Sequence, residues 1–138
     1  MKGLSNWGFS KLFLAILALV FVLFTGANAF EAKTNNENMV RVDVKPIQLS
    51  AGEKAIFQVS LNTHSVDLIY DMEETCILQD NEGRVYKVSK WKGSPPGGHH
   101  RRGTLEFPAL EGNPQSVKLI MKGIADVPER AFEWKTGG

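Results

Sequence analysis

Three histidines hold most of the ligand chemistry in this 138-residue chain: His64, His99 and His100. Neutral imidazole is the commonest protein ligand for zinc, copper and nickel. His99 and His100 are adjacent in "GSPPGGHHRRG" (93–103), and His64 stands in "THSVD" with Asp67 three residues on. Two neighbouring rings on one loop do not easily face the same ion, so a site there needs a ligand from elsewhere. His64 and Asp67 are the candidates, and the expected metal set is His64, His99, His100 and Asp67, holding Zn or Cu. A second reading uses Arg101 and Arg102 with glycine N–H groups to hold an anion or acidic partner. A third is a solvated basic tip with no ligand. Trp91, beside the loop, is a core plug or a stacking platform for a sugar or peptide. Trp91, Arg101, Arg102 and Asp126 complete the expected binding surface.

Other chemistries fit less well. A blue-copper site needs two His, a Cys and usually an axial Met. No His follows Cys76 within 20 residues, and "LIMKGIADVPERAFEW" (119–134) contains neither His nor Cys. Met39, Met72 and Met121 are spread along the chain and suggest no Cu(I) cluster. The Thr, His, Ser and Asp of "THSVD" are too close in sequence to form a triad, because neighbours on a strand point to opposite faces. No nucleophile elbow, zinc-protease helix motif or phosphate loop is present. Glu73 and Glu74 read as surface charge, and Cys76 in "TCILQD" as a small buried hydrophobe. The expectation is a protein that is not an enzyme.

The elements that must position these residues read as strands. Val40, Val42 and Val44 alternate with Arg41, Asp43 and Lys45; Ala55, Phe57, Val59 and Leu61 form a second period-two run. "TCILQD", "DNEG" and "RVYKVSKW" read as strand, turn and strand. Leu105 with Phe107, Val117 with Leu119 and Met121, and Phe132 with Trp134 each share a face. "YDMEETC" holds at most one helical turn. Seven or eight short strands, with prolines confined to strand ends and loops, predict an all-β antiparallel sandwich of the immunoglobulin or fibronectin type.

Two traces stay open. If 66–79 is one bent strand, His64, the 94–100 loop and the "ADVPE" loop with Asp126 meet at one end of the sandwich. If 71–74 is a hairpin turn, His64 and the His99–His100 pair lie at opposite ends.

Residues 1–29 read as a secretory signal peptide. Leu12–Phe24 is 13 apolar residues, and "TGANA" provides a small-x-small cleavage site before Phe30. A span needs roughly 20 apolar residues, so an uncleaved anchor is the alternative and the one expected route to a membrane. Residues 30–38 read as a flexible lead-in and 39–138 as the sandwich domain. Taking two lysines from 16 basic residues leaves 14 against 15 acidic, and the formal charge moves from +1 to −1. A near-neutral chain argues against nucleic acid as a partner. One cysteine allows no internal disulfide, which points to a bacterial exported protein stabilised by packing.

Leu78, Asp80, Gly83 and Tyr86 in "LQDNEGRVY", with the closing "ERAFEW" (129–134), resemble small bacterial exported immunoglobulin-like domains. The resemblance implies a sandwich, an extracytoplasmic address (secreted, periplasmic or envelope) and a binding or accessory role. It carries over no catalytic residue. The sequence thus predicts an exported binding module, with a loop metal site or, alternatively, an envelope-protein interaction and no metal.

Overall fold

The computed structural model describes residues 30–137; the expected signal peptide lies outside the described residues. Nine strands, one α-helical turn and one 3-10 turn follow in order: β1 (Lys33–Glu37), β2 (Val40–Gln48), β3 (Lys54–Thr63), α1 (Met72–Thr75), β4 (Cys76–Asp80), β5 (Val85–Lys87), β6 (Lys90–Gly93), β7 (His100–Ala109), β8 (Ser116–Met121), the 3-10 turn (Ile124–Asp126) and β9 (Arg130–Lys135). They form two antiparallel sheets, β1-β2-β3-β7-β6 and β5-β4-β8-β9. The alternation read from the sequence sorts each strand into a buried and a polar face. Val40, Val42, Val44, Phe57, Val59, Leu61, Leu105 and Phe107 point inward from the first sheet; Cys76, Leu78, Val117, Leu119, Met121, Phe132 and Trp134 point inward from the second. Each large apolar side chain so buried contributes about 1.5–3 kcal/mol. The Phe57 ring meets Phe107 edge-on at 5.8 Å and Trp134 at 5.5 Å, which ties the two inner faces together.

Two segments depart from the sequence reading. Residues 30–38, expected as a flexible lead-in, include β1, which pairs with β2 from Lys33↔Val44 to Glu37↔Val40. Side chains of β9 reach across to it: Trp134 Nε1 donates to Glu31 O at 2.7 Å and Arg130 to Asn35 Oδ1 at 2.6 Å. These bonds hold a segment that lacks apolar alternation of its own. "RVYKVSKW", expected as one strand, divides into β5 and β6, which belong to different sheets. Its inward residues change parity, from Tyr86 and Val88 to Trp91, and a strand cannot keep one face across such a change.

The "LQDNEGRVY" signature has a structural role. The Asp80 carboxylate is wholly buried and accepts from Glu82 N, Arg84 N, Arg84 Nη1 and Tyr86 Oη at 2.9–3.2 Å. Gly83 closes the turn at φ +86, a conformation that favours glycine. Tyr86 Oη in turn accepts from Glu111 N at 3.1 Å, linking the turn to the chain leaving β7. Burial alone would raise the pKa of Asp80; the four hydrogen bonds outweigh it and hold the carboxyl below its ordinary range.

Segment 64–75 carries the chain from β3 in the first sheet to β4 in the second. Neither expected trace is adopted as drawn: 66–71 is irregular and 72–75 a helical turn, so 66–79 is not one bent strand. The segment nonetheless crosses between sheets rather than turning back, and the loops containing His64, His99 and Asp126 gather at one end. Hydrogen bonds between them show it: Leu68 N to Gly98 O, Gly97 N to Leu68 O, Thr63 N to His99 O, and Ala125 N to Tyr70 Oη, all at 2.8–3.0 Å. Among the described residues no helix is long and apolar enough to cross a membrane.

Candidate functional site

The loop end is built on two buried arginines, and strand parity puts them there. On β7 the inward positions are 107, 105, 103 and 101; on β9 they are 134, 132 and 130. Arg101 and Arg130 thus fall on the inner faces, 2% and 1% exposed, where the apolar core ends. The Arg101 guanidinium donates to the carbonyls of Leu68, Tyr70 and Ser94 and lies 5.8 Å from the Trp91 ring. Burial lowers its pKa, and the charge of Asp71 acts in the opposite direction. Arg130 donates to Asn35 Oδ1 and to the carbonyls of Val40, Glu37 and Ile124. Each arginine leaves its Nε without a partner. Both spend their donors on backbone carbonyls of neighbouring loops, so they fix loop shape.

Arg101 was expected on the binding surface, and burial removes it from that role. Trp91, expected beside it, is half buried and lines a surface recess with Glu73, Pro95 and Pro96. It lies on the inner face of β6, half buried against the core, over the paired glycines Gly93 and Gly103. A Cβ on Gly93 would stand 2.7 Å from the indole, and one on Gly103 2.8 Å. Its Nε1 donates to Ser94 O at 3.0 Å. Backbone of the paired strand would stand closer still, at 2.5–2.6 Å, so two glycines of the opening loop are explained by the close approach of β6 and β7 together with the indole over them. Arg102 and Asp126 are exposed. Arg102 points to the outer face of the first sheet, beside Asp43, Lys45, Gln58 and Ser60.

His64 and His100 come together. Both line a recess of about 240 Å³ with Asn36, Met39, Arg41, Asn62 and Thr63. The row is set by register: Asn36 pairs with Arg41, Arg41 with Asn62, and Asn62 with His100 across β1, β2, β3 and β7. His64 follows the end of β3 and closes the recess from the loop side. His100 Nδ1 lies 2.9 Å from Asn62 Oδ1. The Asn62 oxygen is an acceptor for an Nδ1–H, the arrangement that leaves Nε2 free for a ligand. An acceptor that takes the other ring N–H and orients the ring is the usual partner of a metal-binding imidazole. Arg41 Nε is engaged by Asp43, 3.0 Å away.

The other two residues of the expected metal set lie elsewhere. Asp67 accepts from Gly98 N at 2.8 Å and shapes the 94–99 loop. His99 is exposed and is not part of the recess lining; its carbonyl accepts from Thr63 N. Among the described residues no group of three or more His, Cys, Asp and Glu stands close enough to hold a metal ion. Cys76 lies in the core, where burial pushes its thiol up to about 12, so it stays protonated.

The sequence reading sets Met39 aside with Met72 and Met121 as too scattered to act together, and does not place it beside the histidines. It is 70% exposed at the β1–β2 turn and lines the same recess. The signal available was "ENMV": an Asn-X pair between two strands marks a two-residue turn whose second position favours glycine.

Comparison with protein-family models, with characterised proteins and with solved structures finds no match for this chain.

Proposed function

We propose that this is an exported, non-catalytic binding module of the immunoglobulin-like type, whose loop end takes a zinc or copper ion through His64 and His100. The strand order supports the fold assignment: β2, β3, β7 and β6 correspond to A, B, E and D, and β5, β4, β8 and β9 to C′, C, F and G. The apolar run and small-residue site before Phe30 support export. The single observation that carries the metal reading is the meeting of two of the chain's three histidines in one recess, with Asn62 Oδ1 beside Nδ1 of His100. Two imidazoles leave coordination positions open for a third donor, water or a partner's ligand, which suits uptake and delivery better than a closed structural site.

Thermal unfolding with and without added Zn(II) or Cu(II) tests the proposal. A ion that binds only the native state raises its apparent stability by mass action, by about 2.7 kcal/mol at a hundredfold excess over Kd. The expected result is a metal-dependent rise that His64→Ala and His100→Ala each abolish and His99→Ala leaves intact. A second reading, docking of an envelope protein on the loop end, is favoured by the exposure of Ile69 and Met39, 65% and 70%. It predicts no metal effect in any of these proteins.

A further inference from the structure

We infer that Met39 is the third ligand of the His64–His100 recess and that its thioether directs the site to copper(I). The inference rests on the metal reading above. It begins with a residue that folding does not explain. Glu37 pairs with Val40, so Asn38 and Met39 form a two-residue hairpin loop, with φ +46 and +64. Both angles are positive, the geometry of a type I′ turn, in which asparagine is favoured first and glycine second. Asn38 fits. Met39 does not: a bulky side chain at positive φ is strained, and this one packs against no core, being 70% exposed.

The strained turn is held firmly. Arg130 donates to the carbonyls of Glu37 and Val40 on either side of it, and Asn38 Nδ2 donates to Ala125 O at 3.1 Å. Strain that the surroundings enforce at a functional surface points to a use for the side chain. The sulfur shows where that use is. Ser65 Oγ donates to Met39 Sδ at 3.4 Å, which places the thioether beside the residue that follows His64, and Met39 lines the recess with His64 and His100.

Two neutral imidazoles and a neutral thioether form a soft donor set with no carboxylate. Thioether sulfur selects Cu(I) among the common ions. Charge favours the same choice. Arg41 lines the recess, and a monovalent ion meets half the repulsion from its guanidinium that a divalent ion does. Met72 and Met121 are buried in the core, which leaves Met39 as the described methionine able to supply sulfur at the surface.

The experiment is an anaerobic titration of the protein with Cu(I) against a chromophoric Cu(I) chelator, with a parallel Zn(II) titration and X-ray absorption at the copper edge. Wild type, Met39→Leu and a His64→Ala/His100→Ala protein are compared. Leucine keeps the size and turn geometry and removes only the sulfur; the unfolding midpoint of each variant confirms that it is folded. The expected result is one Cu(I) per chain with one sulfur and two nitrogen neighbours. Met39→Leu then weakens Cu(I) by about tenfold or more and leaves Zn(II) affinity unchanged. Cu(I) bound through the histidines with no sulfur neighbour, and equally well by Met39→Leu, overturns the role of Met39 and leaves the metal reading standing. A wild-type protein that takes up neither ion overturns both.

Discussion

Replacing Asp80 by alanine tests how the "LQDNEGRVY" segment holds the two sheets together. The carboxylate is wholly buried and takes four hydrogen bonds. In Asp80→Ala the N–H groups of Glu82 and Arg84, on exposed residues, and the Arg84 guanidinium find water, and the loss at each is modest. Tyr86 Oη is different. It is buried, it loses an ionised acceptor, and its position for Glu111 N is no longer fixed. A hydrogen bond to a charged group contributes about 1.5–3 kcal/mol and the turn bonds about 1 kcal/mol together, so the expected cost is about 3 kcal/mol. In a domain of this size that lowers Tm by roughly 12–20 °C. The pH dependence has a definite sign. The folded pKa of Asp80 lies below its unfolded value, so its contribution is fully present above the unfolded pKa of about 4 and is lost as pH falls through the folded value. Urea unfolding followed by far-ultraviolet circular dichroism between pH 7 and pH 2 reads both effects, and Asp80→Asn flattens the acid limb. A cost below about 1 kcal/mol for Asp80→Ala, or an acid limb unchanged in Asp80→Asn, refutes the reasoning.

Other outcomes follow from the same geometry. Arg101→Met keeps the volume and removes three carbonyl contacts; Leu68 O and Ser94 O retain Gly97 N and Trp91 Nε1 as donors, so Tyr70 O is the acceptor left bare, and urea unfolding should register a loss of about 1–3 kcal/mol. Met39→Gly relieves the positive-φ strain and should raise stability by about 0.5–1 kcal/mol while removing the sulfur proposed as a copper ligand. Cys76, buried and with its thiol pushed up to about 12, should react with a thiol reagent only at the rate of unfolding.

The two-sheet architecture was legible because alternation is a property of each strand alone. Val40 to Val44, Ala55 to Leu61 and Phe132 to Trp134 report their faces with no knowledge of their partners. The same rule, extended backwards, places Arg101 and Arg130 inside; the loop composition around "HHRR" masked it, because β7 starts at His100 and not at Gly103. β1 was hidden since it has no apolar face, and what holds it comes from β9, about 100 residues away in sequence. The meeting of His64 with His100 depended on whether 64–75 crosses between sheets, a choice made by packing of the whole domain. Met39 stands 25 positions before His64, and only the β2–β3 register brings the turn beside it.

The central claim is that His64 and His100 hold a metal ion together. Long-range nitrogen–proton spectra of the imidazoles, recorded during titration with diamagnetic Zn(II) or Cu(I), address it directly, because the chain has three histidines and each is read separately. The account predicts that the His64 and His100 signals move together and saturate at one equivalent, with His100 binding through Nε2 and His99 unmoved. Signals of His64 and His100 that stay fixed, or a shift confined to His99, contradict it.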